Sequence, residues 1–400
     1  MLSNRISRYL LPALALMCCR ADLVSARGFD GVEVHGFATQ GYIKTSANSF
    51  FGDSEDGSFE FTELGVNASM DATENIRLSG QLLSRSAGEM YSGTPSIDFA
   101  LADYTVRSTE NDNIGVMVGR IKNPLGLFNE TRDVAFTRPG FLVPQVVYYD
   151  KVRNLILSAD GVAARMASFG EAANVSLYLA AGQTRIDENV EYVYLGNGYD
   201  GDFSPNGLSY IGRVLVEKPD NTLRASLSIA STSMDFERGV SDPIGNGNVS
   251  LVYGIGSLQY AVNDWTFTSE YMREPIEWQG FAGSPLDGKK ATGESYYFQV
   301  AWQARSDVEL MLRYGEGYAD RSDRSGAEIQ KATGGALPAH TQYSKIATAG
   351  VRWDLTPQVM VRAEYQRHNG TLVLSNRENP IPAATVPDWD MFALSISYRF

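Results

Sequence analysis

The last ten residues of the chain alternate strictly. Phe392, Leu394, Ile396, Tyr398 and Phe400 fall on one side, and Met391, Ala393, Ser395, Ser397 and Arg399 on the other. Successive side chains of a β-strand point to opposite faces, so this run is a strand with one apolar face. The same period recurs upstream in Thr62, Leu64, Val66, Ala68 and Met70, in Leu223, Ala225, Leu227 and Ile229, and in Tyr296, Phe298, Val300 and Trp302. The connections between such runs alternate in length. Short ones fall at 71–75, 109–113, 170–173, 219–222, 263–264, 305–307 and 356–358. Long ones fall near 47–58, 86–96, 123–154, 186–207, 237–247, 275–293, 318–342 and 374–387. Seven short and eight long connections imply sixteen strands. Alternation is poor near 32–46 and 248–262, so the count stands at sixteen within two. A soluble sandwich has no reason to alternate tight turns with long loops. A transmembrane antiparallel up-and-down β-barrel does so by construction, and the expected fold is an all-β barrel of about 16 strands.

Composition agrees with this reading. Of 400 residues, 44% are hydrophobic, too many for a disordered chain. No apolar stretch reaches the roughly 18 residues of a spanning helix. A mean hydropathy of −0.20 then averages two opposite surfaces. A net charge of −13 excludes nucleic acid as a partner, which needs a basic footprint. On the apolar face, Val, Leu, Ile and Ala hold mid-strand positions. Tyr104, Tyr210, Trp265, Phe267, Tyr271, Trp302, Trp353 and Tyr398 lie toward strand ends, as aromatic girdles at two membrane interfaces would place them.

Arg5 and Arg8 precede an apolar run from Leu10 to Cys19, and Val24-Ser25-Ala26 supplies small residues for cleavage. This is the anatomy of a secretory signal, so the expected division is a signal peptide at 1–26 and a barrel at 27–400. Cleavage removes Cys18 and Cys19, leaving no thiol for a disulfide framework.

Parity turns polar residues to the other face. It places Arg77, Arg85, Arg107, Arg165, Arg213, Arg313, Arg352, Arg362, Glu63 and Asp103 inside the barrel. Arg224, Arg305, Arg399, Glu217, Glu270, Glu274, Glu309, Asp354, Glu364 and His368 join them. Arginines outnumber carboxylates there, while acidic residues gather in the long connections, as at Asp53, Glu55 and Asp56, at Asp187, Glu188 and Glu191, and at Asp200 and Asp202. A slightly basic interior with both signs suits a water-filled pore, which sixteen strands are wide enough to enclose.

The longest internal connection, beyond Lys122, contains Pro124, Pro139 and Pro144 and cannot be continuous strand. It also carries Leu127, Phe128, Phe136, Phe141, Leu142 and Val143, apolar density that a solvated loop lacks, so it packs against something. Its charges, Glu130, Arg132, Asp133, Arg138, Asp150, Lys151 and Arg153, have two readings. They could line a pore constriction and set up a transverse field, or pair with one another on the loop surface.

The signal peptide, sixteen inferred strands, thiol-free barrel and terminal Phe400 together resemble a Gram-negative outer-membrane porin. That resemblance implies an outer-membrane location among lipid and lipopolysaccharide, and a homotrimer. It implies a third long loop folded into the pore, and passive diffusion of small hydrophilic solutes and ions. It also implies that the barrel assembly machinery reads Tyr398 and Phe400. The basic interior adds an expected weak anion preference. Gly119-Arg120-Ile121-Lys122-Asn123-Pro124-Leu125-Gly126 is similar to a strand-end motif of phosphate-selective porins, although the extra lumen lysines of that family are missing. The alternative is a closed barrel that acts as a receptor or adhesin through its acidic outer loops. Catalysis is not expected, because His35, His340 and His368 stand outside any hydrolase or zinc-protease motif, and no cofactor or metal is expected.

Overall fold

The computed structural model describes residues 31–400. The expected leader at 1–26, with Cys18 and Cys19, lies outside the described residues. Sixteen long antiparallel strands form one closed barrel. They are β1 (Val32–Thr45), β2 (Ser58–Thr73), β3 (Ile76–Ala87), β4 (Ser96–Ser108), β5 (Asp112–Lys122), β6 (Ser158–Phe169), β7 (Asn174–Thr184) and β8 (Ser209–Glu217) in the first half. The second half is β9 (Leu223–Glu237), β10 (Gly247–Val262), β11 (Trp265–Gln279), β12 (Lys290–Arg305), β13 (Val308–Tyr318), β14 (Tyr343–Asp354), β15 (Val359–Gly370) and β16 (Asp388–Arg399). Two short segments, Tyr91–Ser92 and Asp202–Pro205, extend the ladder beside β3 and β9. The barrel closes where β16 pairs with β1, from Phe37↔Arg399 to Thr45↔Met391. Tight turns join the strands at one end. At the other stand eight long loops: L1 (46–57), L2 (88–95), L3 (123–157), L4 (185–208), L5 (238–246), L6 (280–289), L7 (319–342) and L8 (371–387).

The outer wall is apolar. Leu82, Leu227 and Leu312 are 57%, 65% and 61% exposed, values that a water-facing surface rarely repeats around its whole girth. Tyr104, Trp265, Phe267, Trp302 and Trp353 ring the tight-turn end, where the Trp265 and Trp302 rings stack at 5.4 Å. Tyr210, Tyr271 and Tyr314 stand nearer the loop end. No helix among the described residues is long and apolar enough to cross a membrane.

The two strands with poor alternation have a common explanation. In β10, Val252, Leu258 and Tyr260 face outward, but Val249, Leu251, Tyr253 and Ile255 face inward and are buried. In β1, Phe37 and Ile43 are buried on the inner face. Gln40 shares the outer face with Thr62 and satisfies its amide on the Phe59 and Phe61 carbonyls at 2.9 and 3.0 Å. The period fades because part of the interior is dry and packed.

At the seam, Gly36 and Phe400 exchange both backbone hydrogen bonds, at 3.2 and 3.1 Å, and a Cβ on Gly36 would overlap the Phe400 ring. Gly36→Leu is therefore expected to unseat that ring and destabilise the barrel by about 1–3 kcal/mol, the usual cost of overpacking. Phe400→Ala removes the same contact, so the double variant should cost little more than the worse single one. Urea titration followed by the gel shift between folded and boiled protein measures this. Strictly additive losses would mean that the two residues act independently.

Candidate functional site: a lumen crossed by its third long loop

L3 is launched by the motif at 119–126. Gly119 has φ +126°, and a side chain there would strike the backbone of β4. Arg120 points outward to Asp160 on β6 at 2.6 Å, while Lys122 points inward and meets Asp98 at 2.7 Å and Asp133 at 3.2 Å. Pro124 ends the ladder, and Gly126, at φ +61°, lets the backbone pass close under Tyr148 and Glu270. The loop returns through α1 (Arg153–Leu157) into β6.

Between these points L3 crosses the barrel. On one wall the Gly126 amide donates to Ser228 Oγ of β9 at 2.8 Å, and the Leu127 amide to Glu270 of β11 at 2.9 Å. On the other, Arg138 faces Glu63 of β2 at 3.7 Å and the Phe141 amide donates to Glu364 of β15 at 2.8 Å. In the strand order β2 and β10 are half a circumference apart. Residues 141–150 are all buried. Irregular backbone at membrane depth survives only where protein or water satisfies its polar groups, and here the wall does so. Glu270 collects hydroxyl donors from Tyr148 at 2.7 Å, Tyr297 at 2.7 Å and Ser257 at 2.6 Å. Tyr253 donates to the Val147 carbonyl, and the Tyr149 and Ser295 hydroxyls share a bond of 3.2 Å. Leu125, Phe128, Val143, Val146 and Val147 fill the space against β8–β12 and form one apolar cluster with the inner faces of those strands.

The loop charges are distributed as follows. Arg132 and Arg85 both bind Asp150, at 3.1 and 3.2 Å, and Arg85 also binds Glu63 at 3.0 Å. Arg153 joins Lys122 on Asp133, at 2.5 Å. Arg138 donates to the Phe141 carbonyl at 3.0 Å. These loop charges are buried: Arg132–Asp150 and Asp133–Arg153 pair with one another within L3, and Arg85, Lys122 and Glu63 tie the same groups to the wall. Lys151 is half-buried and donates to the Leu372 carbonyl. Glu130 is exposed and pairs with Arg213 of β8 at 2.6 Å.

Among the lumen candidates, Arg85, Glu63, Arg213, Arg313, Arg352 and Arg362 touch L3. Arg313 stands 3.7 Å from Glu364, and Arg362 donates to the Ala135 carbonyl at 2.6 Å. Arg165 and Asp103 pair across β4 and β6 at 2.9 Å, and Arg352 binds Asp354 at 2.9 Å. Arg77, Arg107 and Arg305 stand elsewhere than in the mid-lumen. Arg77 pairs with Glu33 and Asp71 at the tight-turn rim. Arg107 follows a register shift in β4 and Arg305 a register shift in β12, and both are solvated at that rim. Sequence parity missed Asp98 and Tyr297, since a strand position records its face and not its partner across the lumen, and Tyr148, since a loop has no parity.

L1, L2, L4 and L8 are knitted together above the loop end. Asn379 of L8 donates to the Ser49 carbonyl of L1 at 2.8 Å, and Asn189 of L4 to the Met90 carbonyl of L2 at 3.2 Å. The Glu378 carboxyl accepts the amides of Phe51 and Gly52 at 3.1 and 2.6 Å. Burial pushes Glu378 up to about 7 against those amides, with Glu60 adding to the rise. Burial alone would also raise Asp133, but Arg153, Lys122 and Arg132 outweigh it and hold that carboxyl well below the usual range.

Two outcomes follow from these groups. Asp133→Asn leaves Lys122 and Arg153 facing a neutral amide, which should destabilise the docked loop by about 3–5 kcal/mol, the cost of breaking a buried pair from one side. Limited proteolysis within 123–157 should become markedly faster; an unchanged cutting rate would show that the pairs do not hold the loop. For Glu378, the docked seam holds a proton between its ordinary 4.5 and about 7 that a released loop does not. The L1–L8 seam should therefore weaken as pH rises across that window and stay level in Glu378→Gln. Amide exchange at Phe51 and Gly52, corrected for intrinsic pH dependence, measures it.

The family model described as the OmpA-like transmembrane domain matches residues 299–400. Outer membrane protein A of Escherichia fergusonii is 30% identical over 129 residues, 31% of this chain and 34% of that protein. The chain thus spans about a third of the length of the curated relatives it matches. Solved structures match over nearly the whole chain. The outer membrane channel DcaP of Acinetobacter baumannii is similar at a TM-score of 0.56 and 12% identity, over 93% of this chain and 99% of that one. The anion-selective porin from Comamonas acidovorans is similar at 0.54 and 11%, over 92% and 99%. The trimer form of in-vitro folded OmpT of Vibrio cholerae is similar at 0.54 and 12%, over 92% and 99%. At such identities the likeness is one of fold, and it is the closed sixteen-strand fold of the outer-membrane porins. The chain is an outer-membrane β-barrel built on that architecture.

Proposed function

We propose that this barrel is a channel for small hydrophilic solutes, kept narrow by L3, and not a catalyst. The observation that carries this reading is the path of L3 across a sixteen-strand lumen, with Glu130, Thr131 and Thr137 still solvated on its surface. The buried charges of L3 hold the loop against the wall, and solvated groups near the tight-turn end meet passing ions. Among the described residues no carboxylate lies within 4.0 Å of Arg362 or Arg399. Arg362 donates to carbonyls of L3, and Arg399 donates to the Pro357 carbonyl at 3.0 Å and lies over the Phe136 ring at 4.3 Å. Arg362 is buried, so Arg399, exposed at the tight-turn end, is the group that supports a weak preference for anions. A homotrimer is proposed on the same architecture, which the trimer form of the Vibrio protein shares. Against catalysis, His368 stacks on Trp389 at 3.7 Å and bonds Gln366, while His340 bonds Thr385 at 3.0 Å.

Planar-bilayer recording under a potassium chloride gradient tests the reading. Wild-type protein should give small steps with a reversal potential on the anion side. Deleting 127–149 should raise the step size several-fold, and Arg399→Gln should move the reversal potential toward cations without changing step size. Silence from both the wild type and the deletion would overturn the channel and favour a closed receptor barrel.

A further inference from the structure

On the loop side of L3 lies a cavity of about 480 Å³. Tyr149 and Lys151 of L3 form its floor, Glu274, Ile276 and Trp278 of β11 one wall, and L7 and L8 its cover. That size is ordinary for a small-molecule site.

Of the charged residues in its lining, Lys151, Glu274, Lys289, Asp320, Asp323 and Glu328, the first two face each other across it unpaired. Among the described residues Lys151 has no carboxylate within 4.0 Å, and Glu274 has no cation within that distance. Lys151 is tethered on its own side, donating to the Leu372 carbonyl at 2.5 Å and lying 5.8 Å over the Tyr149 ring. Glu274 faces the Tyr194 hydroxyl, from a strand hydrogen-bonded to neighbours on both sides. Burial draws the Lys151 amine down to about 8, and the Glu274 charge opposes that shift, so the two sense each other across the cavity. An amine and a carboxylate that line one cavity without touching leave room between them for a molecule carrying both charges. The surface beside the gap is apolar and aromatic. Trp278 packs against Tyr194 with ring centroids 6.4 Å apart, and its indole N–H is already satisfied on the Tyr194 carbonyl at 3.2 Å. The Lys289 ammonium lies 5.3 Å over that indole ring, and Ile276, Leu286 and Ala291 supply the apolar lining beside it.

We propose that this cavity binds a zwitterionic amino acid or dipeptide with an aromatic or branched aliphatic side chain. The ligand carboxylate pairs with Lys151, its ammonium with Glu274, and its side chain lies against Trp278 and Ile276. This site stands whether or not the barrel conducts.

The test is fluorescence titration of the full-length folded barrel in detergent, with Trp278→Phe to identify the reporting indole. The probes are L-phenylalanine, 3-phenylpropionate and 2-phenylethylamine, which carry both charges, only the anion and only the cation. L-phenylalanine should give a saturable change that Trp278→Phe removes, and each single-charge probe should bind about tenfold more weakly or worse, one ion pair's worth. Lys151→Met should erase the preference for L-phenylalanine over 2-phenylethylamine, and Glu274→Gln the preference over 3-phenylpropionate. A structural role for these residues would weaken all three probes alike, and that result overturns the assignment. So does the absence of saturable binding by L-phenylalanine, L-leucine and L-phenylalanyl-L-leucine. Should Lys151→Met fail the heat-shift test of folding, the three probes on wild-type protein and on Glu274→Gln still decide.

Discussion

Every backbone N–H and C=O inside a bilayer must find a partner within the protein, and the rest of this structure depends on that demand. An isolated strand cannot meet it and neither can an open sheet, because an edge leaves a row of unpaired groups in hydrocarbon. The chain meets it by returning β16 to β1, so that Phe400 finds Gly36. Closure fixes the number of strands, strand number fixes the width, and a width of sixteen strands leaves a lumen that side chains from the wall alone do not fill. L3 enters that space, where the same demand applies to it. Its amides and carbonyls are taken up by wall residues such as Ser228, Glu270, Glu364 and Arg362.

The two sides of the loop are held by different physics. Toward β8–β12 the contact is mainly apolar, with tyrosine hydroxyls converging on the single carboxylate of Glu270. Toward β2 and β3 the contact is ionic, a chain running Glu63, Arg85, Asp150, Arg132. Neither arrangement works alone. A purely apolar lumen would resemble a second lipid surface, and a purely ionic one would carry the desolvation cost of each charge with little packing to offset it. Sharing acceptors reduces that cost, since Asp150 and Asp133 each serve two cations already fixed by neighbours.

The fold was legible because lipid imposes a period of two. Leu64, Val66 and Met70, or Phe392 and Leu394, declare the outer face from sequence alone, and the turns between strands declare the count. Legibility stopped where the lumen is dry. Val249, Leu251, Tyr253 and Ile255 break the alternation of β10 because L3 covers them, and that covering is invisible until the loop is placed. The proline and apolar content of 123–157 did announce that the loop packs. It could not announce that Arg132 pairs with Asp150 and Asp133 with Arg153 inside the loop, because an irregular loop has no period that places its side chains. Arg107 and Arg305 were misplaced for a simpler reason: one shifted residue near a strand end moves a side chain from lumen to rim.

The split between an apolar side and an ionic side also constrains how such a loop could ever move. Buried ion pairs are screened little by added salt, so ionic strength acts on the solvated Glu130–Arg213 pair well before it acts on Arg85 and Asp150. Protonation of Asp133 is equally unhelpful, because its cations hold its carboxyl below the usual range and keep it ionised in mild acid. Release at β2 and β3 would take Asp150 and Arg138 from Arg85 and Glu63, which still hold each other at 3.0 Å, whereas release at β9–β11 exposes apolar surface and leaves Glu270 with Ser257 and Tyr297 still bonded. The wall on that second side stays satisfied after the loop leaves. Burial of that apolar surface, together with the ion pairs at β2 and β3, is what keeps L3 across the lumen.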